Sequence, residues 1–150
     1  MNWNLKKFNE MTTEELYEIL KLRNEIFVVE QQCAYQDCDD KDKKALHLFL
    51  QDKDEITAYL RILEKGVSYN EISIGRVVVN KNYRGKGLAK EMMLAALKYI
   101  DENLHEREIR ISAQAYLLKF YKSLGFHEVS EQYLEDNIPH VEMLFKKSPK

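Results

Sequence analysis

Residues 74–89, IGRVVVNKNYRGKGLA, constrain this chain more than any other stretch. The β-branched run that ends at Val79 predicts a strand. Asn80 to Tyr83 form a short polar turn. Arg84-Gly85-Lys86-Gly87-Leu88-Ala89 then leads straight into an apolar helical pattern. A glycine-rich corner between a strand and a helix is an anion-binding device. The first N–H groups of a helix have no partner inside it, and the helix dipole favours negative charge there. Gly85 and Gly87 let the main chain approach a phosphate closely, while Arg84 and Lys86 add positive charge. The corner is not a P-loop, because no Gly-Lys-Ser/Thr follows. Nor is it the Gly-x-Gly-x-x-Gly dinucleotide fingerprint, because Lys90 stands where the third glycine would fall. Taken alone, the hexapeptide also fits a plain loop with two turn glycines and surface bases.

The rest of the chain alternates strands and helices around this corner. Asn2 to Phe8 predicts a first strand. Thr12-x-x-Glu15 is a capping box ahead of Leu16, Ile19, Leu20, Ile26 and Phe27, so residues 13 to about 28 predict an amphipathic helix. Val29 to Lys44 predicts a long loop rich in Gln, Asp and Lys. Its Asp37, Asp39, Asp40 and Asp42 resemble a calcium loop only superficially, since the sixth-position glycine and closing glutamate are missing. A solvated acidic loop is the expectation, with steering of a cationic ligand as the alternative. Ala45–Leu50 and Ile56–Leu63 predict a hairpin, and Ile72–Val79 the next strand. An apolar helix from about Gly87 to Asn103 follows, then a strand over Ile109–Ala115. That order suits parallel pairing with the strand at 72–79. Leu117–Leu124 predicts a short helix closed by Gly125. Phe126–Tyr133 and Val141–Lys147 predict a last strand pair around Glu135-Asp136-Asn137. No repeat or linker interrupts residues 1–150, so the expectation is one mixed α/β domain.

The charge balance excludes some functions. The chain has 23 Lys and Arg against 25 Asp and Glu, a formal net charge of −2. That balance offers no footprint for nucleic acid or an anionic membrane. The opening MNWNLKKFNEM lacks the apolar segment of a signal peptide, and no apolar run of about 18 residues predicts a membrane span. Cys33 and Cys38 lack a second pair at ligand spacing, so reduced thiols in a cytoplasmic protein are expected, with no metal.

Arg84-x-x-Gly87-x-Ala89 after a strand resembles the Arg/Gln-x-x-Gly-x-Gly/Ala signature of the GNAT superfamily, the GCN5-related N-acetyltransferases. Phe120-Tyr121-Lys122-Ser123-Leu124-Gly125-Phe126 resembles the superfamily's Phe-Tyr-x-x-x-Gly-Phe box. The predicted element order is also the GNAT order. Phe27-Val-Val-Glu-Gln31, Tyr35-x-Asp37, His47, Gln114-Ala115 and Ile138-Pro-His140 are similar to the ElaA-type branch. The resemblance implies a central mixed sheet of about six to seven strands flanked by helices. It implies acetyl-CoA as acyl donor, with its pyrophosphate on residues 84–89 and its pantetheine along Val77, Val78 and Val79. Phe120, Tyr121 and Gln114 join the donor site, and Tyr121 stands near the thioester sulfur.

Acetyl transfer to a primary amine requires the leaving thiolate to be protonated. A tyrosine titrating near ~10 can donate reversibly to a thiol near ~8.5. Tyr121 is the candidate acid. The amine, an ammonium titrating near ~10.4, must lose a proton. The strand at 72–79 carries no acid, which leaves Glu30, His140, His47, Glu142 or an ordered water, with Glu30 and His140 ranked first. Arg76 and Gln114 either pair structurally or orient the ligands. Phe27, Tyr35 and Tyr116 are candidates to line an acceptor pocket. Neither cysteine lies in a nucleophile motif, so direct attack in a ternary complex is expected. The acceptor is a small-molecule or peptide amine, and an exposed final strand could support a homodimer. The alternatives are a non-catalytic acetyl-CoA sensor or partner module and an acyl-homoserine-lactone-type synthase.

Overall fold

A computed structural model describes residues 3–147. Asn2, expected to open the first strand, lies outside the described residues. The described residues build an eight-stranded mixed sheet. In chain order the strands are β1 (Trp3–Lys7), β2 (Leu46–Asp52), β3 (Glu55–Leu63), β4 (Ile72–Val79), β5 (Glu108–Gln114), β6 (Phe126–Glu128), β7 (Tyr133–Glu135) and β8 (Ile138–Lys146). Their spatial order is β1-β2-β3-β4-β5-β8-β6, with β7 also on β8. The sheet exceeds the expected six to seven strands because 126–133 is not one strand. It breaks into β6 and β7, which both pair with the long β8.

Helix α1 (Thr13–Arg23) begins with the capping box read from the sequence. The Thr12 hydroxyl accepts from the Glu15 N–H at 3.0 Å, and Glu15 accepts from the Thr12 N–H at 2.9 Å. The single helix expected to about 28 instead widens into a π-type turn over Asn24–Glu30. Helix α2 (Leu88–Tyr99) follows the glycine corner, and α3 (Leu118–Ser123) is the short helix before Gly125.

Strand alternation divides the core between the two faces of the sheet. On one face Phe49, Tyr59 and Val78 meet Ile19, Leu22 and Ile26 of the α1 side. On the other, Leu48, Leu50, Ala58, Leu60, Ile62 and Ile74 meet Leu88, Met92, Met93 and Ala96 of α2. The α1-side core includes no residue of β5 or β8. There the alternation instead turns Arg110, Ser112, Gln114, His140 and Glu142 away from the buried Ile109, Ile111, Ala113, Val141 and Met143.

The feature that positions the site is a split in the sheet. β4 and β5 are parallel and pair only through Ile72↔Ile109 and Ser73↔Arg110. Every other strand contact among the described residues is antiparallel. A bulge accompanies the split. Tyr59 faces Val78 and Arg61 faces Gly75, so Arg76 and Val77 together oppose Leu60. Arg76 takes a left-handed φ of 52°, which costs a non-glycine residue about 1–2 kcal/mol.

Candidate active site

The cleft opens where β4 and β5 part, with a volume of about 410 Å³. Beyond Ser73 the β5-facing edge of β4 has no strand partner, so its main-chain groups face the cleft. Val77, Val78 and Val79 all line it, as does Gln114 from the far side of the split. The Val78 side chain points into the α1-side core.

The glycine corner begins at the edge of the cleft, where Arg84 lines it. Gly85 and Gly87 have φ of 80° and 76°, and Gly87 caps α2 without any side-chain hydrogen bond. The N–H groups of Gly85, Lys86, Gly87, Leu88 and Ala89 find no acceptor among the described residues. Five unsatisfied donors at a helix start suit a pyrophosphate. Leu88 is buried against the α2 core, and the Lys86 ammonium lies 5.4 Å from the centroid of the Tyr83 ring. Arg84 does not point freely at this nest. Its Nη2 donates to Glu30 Oε1 at 2.8 Å and its Nε to the Val79 carbonyl at 3.3 Å.

Tyr121 enters from the opposite face of the sheet. It is 6% exposed and packs edge-on against Phe120 and Phe126. Its hydroxyl makes no hydrogen bond among the described residues, yet the residue lines the cleft. Burial, with the neighbouring Tyr116, pushes its phenol well above the usual range. Phe120 packs against the α2-side core and is not a cleft wall.

Glu30, His140, Phe27, Tyr35 and Tyr116 gather around the same cleft. His140 is buried, stacks on Tyr133 at 6.2 Å, and has Nδ1 at 2.7 Å from the Ile138 carbonyl. Gln114 makes a long 3.5 Å contact with Gln31. His47 lies outside the cleft, on β2. Its Nε2 donates to the Asp42 carbonyl at 2.8 Å and its Nδ1 accepts from the Tyr59 hydroxyl at 2.6 Å. Burial pulls it below 6.5, so it is a neutral structural histidine. Glu142 is paired with Arg110 at 3.2 Å.

The acidic loop is not solvated, contrary to expectation. Asp37, Asp39 and Asp42 alternate with Arg23, Arg61 and Arg76 in a closed ring of ion pairs. Arg23 binds Asp37 at 2.8 Å and Asp42 at 2.7 Å. Arg61 binds Asp42 at 2.9 Å and Asp39 at 2.6 Å. Arg76 closes the ring onto Asp37 at 2.9 Å and Asp39 at 3.4 Å. Three cations cancel three anions, so the loop offers little net charge for steering; of the four aspartates only Asp40 stays outside the ring. Arg76 is therefore tied into a structural ring while still lining the cleft. Among the described residues no three His, Cys, Asp or Glu side chains converge as metal ligands. No helix among them is long and apolar enough to cross a membrane.

Gln31, Cys33, Ser112, Glu135 and Asp136 also line the cleft, and none of them is a site candidate from the sequence. The available signal was the Glu135-Asp136-Asn137 turn directly preceding Ile138-Pro139-His140, which folds the turn back over the histidine.

The sequence profile described as "Acetyltransferase (GNAT) domain" matches residues 9–147. Protein ElaA of Escherichia coli is 37% identical over 145 residues, covering 95% of each chain. The E. coli ElaA crystal structure superposes with a TM-score of 0.90 at 36% identity, covering 97% of this chain and 100% of that one. The crystal structure of an acyl-CoA N-acyltransferase from Pseudomonas aeruginosa also gives 0.90, at 37% identity over 97% of this chain and 99% of the other. With a split mixed sheet, a glycine corner at its mouth and relatives matched along nearly their whole length, the chain belongs to the GNAT superfamily of acyltransferases, in its ElaA-type branch.

Proposed function

We propose that the protein transfers an acetyl group from acetyl-CoA to a primary amine by direct attack in a ternary complex. The observation that carries this reading is the unbonded hydroxyl of the buried Tyr121, which reaches the cleft at a split whose β4 edge is open. The donor's pyrophosphate sits on the N–H groups of residues 85–89, with the α2 dipole behind it. Its pantetheine runs along Val77–Val79 and Gln114. A main-chain N–H on the open β4 edge then stabilises the oxyanion, worth about 2.7–4 kcal/mol per donor.

Proton transfer completes the reaction. Tyr121, held protonated by burial, donates to the departing thiolate. Of the two leading candidate bases, Glu30 stands beside Arg84 of the donor loop, whereas His140 presents Nε2 at the acceptor end of the cleft, and an imidazole is a stronger base than a carboxylate. His140 is therefore the base that takes the amine's proton. The amine attacks the thioester carbonyl, a C–N bond forms and the C–S bond breaks.

Thiol release from acetyl-CoA, measured over a panel of primary amines, tests the proposal with wild type and Tyr121→Phe. Turnover that depends on an amine and falls about 10²-fold or more in Tyr121→Phe is expected, the usual size of a general-acid contribution. Tight acetyl-CoA binding without thiol release for any amine would instead identify a sensor module. Undiminished turnover in Tyr121→Phe would remove the tyrosine from the chemistry.

A further inference from the structure

We infer that Glu135 and His140 together form the binding site for the acceptor's ammonium group, with Glu135 the residue that selects a cationic amine. The inference rests on the reading of the cleft as the transfer site. It starts from the histidine tautomer. His140 Nδ1 lies 2.7 Å from the Ile138 carbonyl oxygen. A carbonyl can only accept, so Nδ1 carries the proton and the neutral ring keeps its lone pair on Nε2. Nε2 in turn faces Glu135 Oε2 at 3.4 Å. When the ring is neutral, two acceptors thus stand side by side, and a donor in the cleft that reaches both relieves their repulsion.

This pairing is built rather than incidental. Consecutive left-handed residues, Asp136 at φ 51° and Asn137 at φ 64°, make a two-residue hairpin turn between Glu135 and Ile138. That turn aims the carboxylate back at the ring. The other oxygen, Glu135 Oε1, receives the Ser112 hydroxyl at 3.4 Å, and Ser112 also contacts the Tyr133 hydroxyl. Tyr133 stacks on the His140 ring from the opposite strand, and Gln114 is its register partner on β5.

No fixed cation neutralises this carboxylate. Among the described residues Glu135 pairs with no Lys or Arg. The two arginines that line the cleft are spoken for, Arg76 by Asp37 and Asp39 and Arg84 by Glu30. Arg110 is held by Glu71 and Glu142, and Asp136 adds a further negative group at the rim. A primary ammonium suits this pair because it has three N–H donors and a charge, and it bridges both acceptors from the cleft side as the half-exposed Glu135 side chain swings outward. One N–H satisfies Nε2, a second satisfies Glu135, and the third remains for solvent or Gln114. A hydroxyl has a single proton and cannot satisfy both acceptors.

The same geometry supplies the proton step. The N–H bond pointing at Nε2 breaks, the proton moves to the imidazole, and the electron pair stays on nitrogen. Glu135 then faces an imidazolium and stabilises it. The neutral amine is left at the split, ready to attack.

The test uses the full chain with propylamine and 1-propanol as probes. His140 imidazole signals are followed by ¹H–¹³C NMR in wild type, Glu135→Gln and Glu135→Asp, each saturated with coenzyme A. Saturable movement with propylamine, none with 1-propanol, and a half-saturating concentration raised at least 10-fold in Glu135→Gln and less in Glu135→Asp are expected. With any amine that turns over, Glu135→Gln raises the KM for amine by a similar factor and leaves the KM for acetyl-CoA unmoved. Equal response to propanol, or an unchanged half-saturation in Glu135→Gln, overturns the inference. Amine-dependent movement at His140 without thiol release would defeat the transfer reading while leaving the ammonium site standing. Tyr121-dependent thiol release with a motionless His140 signal would do the reverse.

Discussion

At the residue scale, the donor loop depends on two backbone torsions. Gly85 and Gly87 both sit at positive φ, and a Cβ built on either meets nothing within 4 Å. Alanine at position 87 is therefore opposed by conformation and not by space, at about 1–2 kcal/mol. Gly87→Ala is expected to lower unfolding stability by about 1 kcal/mol in urea and to weaken coenzyme A binding in calorimetry. The loop relieves the strain by turning, which swings its N–H groups off the pyrophosphate. Gly66→Ala is the control, since Gly66 has φ 84° in a turn remote from the cleft. It should lose similar stability with no change in coenzyme A affinity. If the two variants bind coenzyme A equally well, the loop is not a conformational cradle. Gly85, Gly87 and Tyr121 are legible in the sequence because each answers to a local pattern, a strand-to-helix corner or a seven-residue box. Glu135 is not, because its place depends on a hairpin turn folding it over His140.

At the element scale, the ring of three arginines and three aspartates ties α1, β3, the β4 bulge and the 31–44 loop into one unit. It holds the acceptor wall and offsets the strain at Arg76. Removing one charge leaves an uncompensated partner inside, which costs about 3–5 kcal/mol. Asp42→Asn is expected to lose that much in urea unfolding, and a loss below 1 kcal/mol would show the ring to be ornamental. The ring also sets an acid limit. Burial raises Asp42 and Asp39, but hydrogen bonds and charge from Arg23 and Arg61 outweigh it and hold both below 3.8. Groups with lowered folded values stabilise the fold above their unfolded value and lose that contribution as pH falls through the folded one. His47, pulled below 6.5 by burial, acts in the same direction but starts earlier. Stability should thus begin to fall below about pH 6.5 and fall more steeply below about pH 4. The helices and the hairpin are legible from periodicity, but this ring is not. The spacing of the aspartates says nothing of their partners. The overlooked signal was an arginine in each of two apolar segments, Arg23 on the helical stripe of Ile19, Leu22 and Ile26, and Arg61 within the apolar strand run 58–63.

At the scale of the whole molecule, the parting of β4 from β5 lets one cleft reach both faces of the sheet. Tyr121 enters from the α2 side, while Glu30 and His140 enter from the α1 side. Element order predicted the parallel pairing of these strands, but not that it would last only two residues, because splaying depends on what packs on each face. Across the mouth, Arg84 of the donor loop reaches Glu30 at the end of the helical segment after α1. Both side chains are close to half exposed, so the pair is worth about 0–1 kcal/mol. On the proposed reading, a pyrophosphate carries more charge than one carboxylate and presents it on the adjacent N–H groups, so it would take Arg84 from Glu30. Donor binding would then have to break the pair, and Glu30 would reduce donor affinity by the worth of that contact. Glu30→Gln is accordingly expected to bind coenzyme A about 2–5-fold more tightly in calorimetry at low salt, which is about 0.4–1 kcal/mol. The gain should shrink toward zero near 1 M salt, where charges several ångströms apart are screened. Arg84→Ala should weaken binding, because the loop then loses its side-chain charge. Unchanged or weaker coenzyme A binding by Glu30→Gln would mean that Arg84 keeps its grip on Glu30 in the complex. The bridge would then be part of a preformed donor site and not a contact the donor must displace.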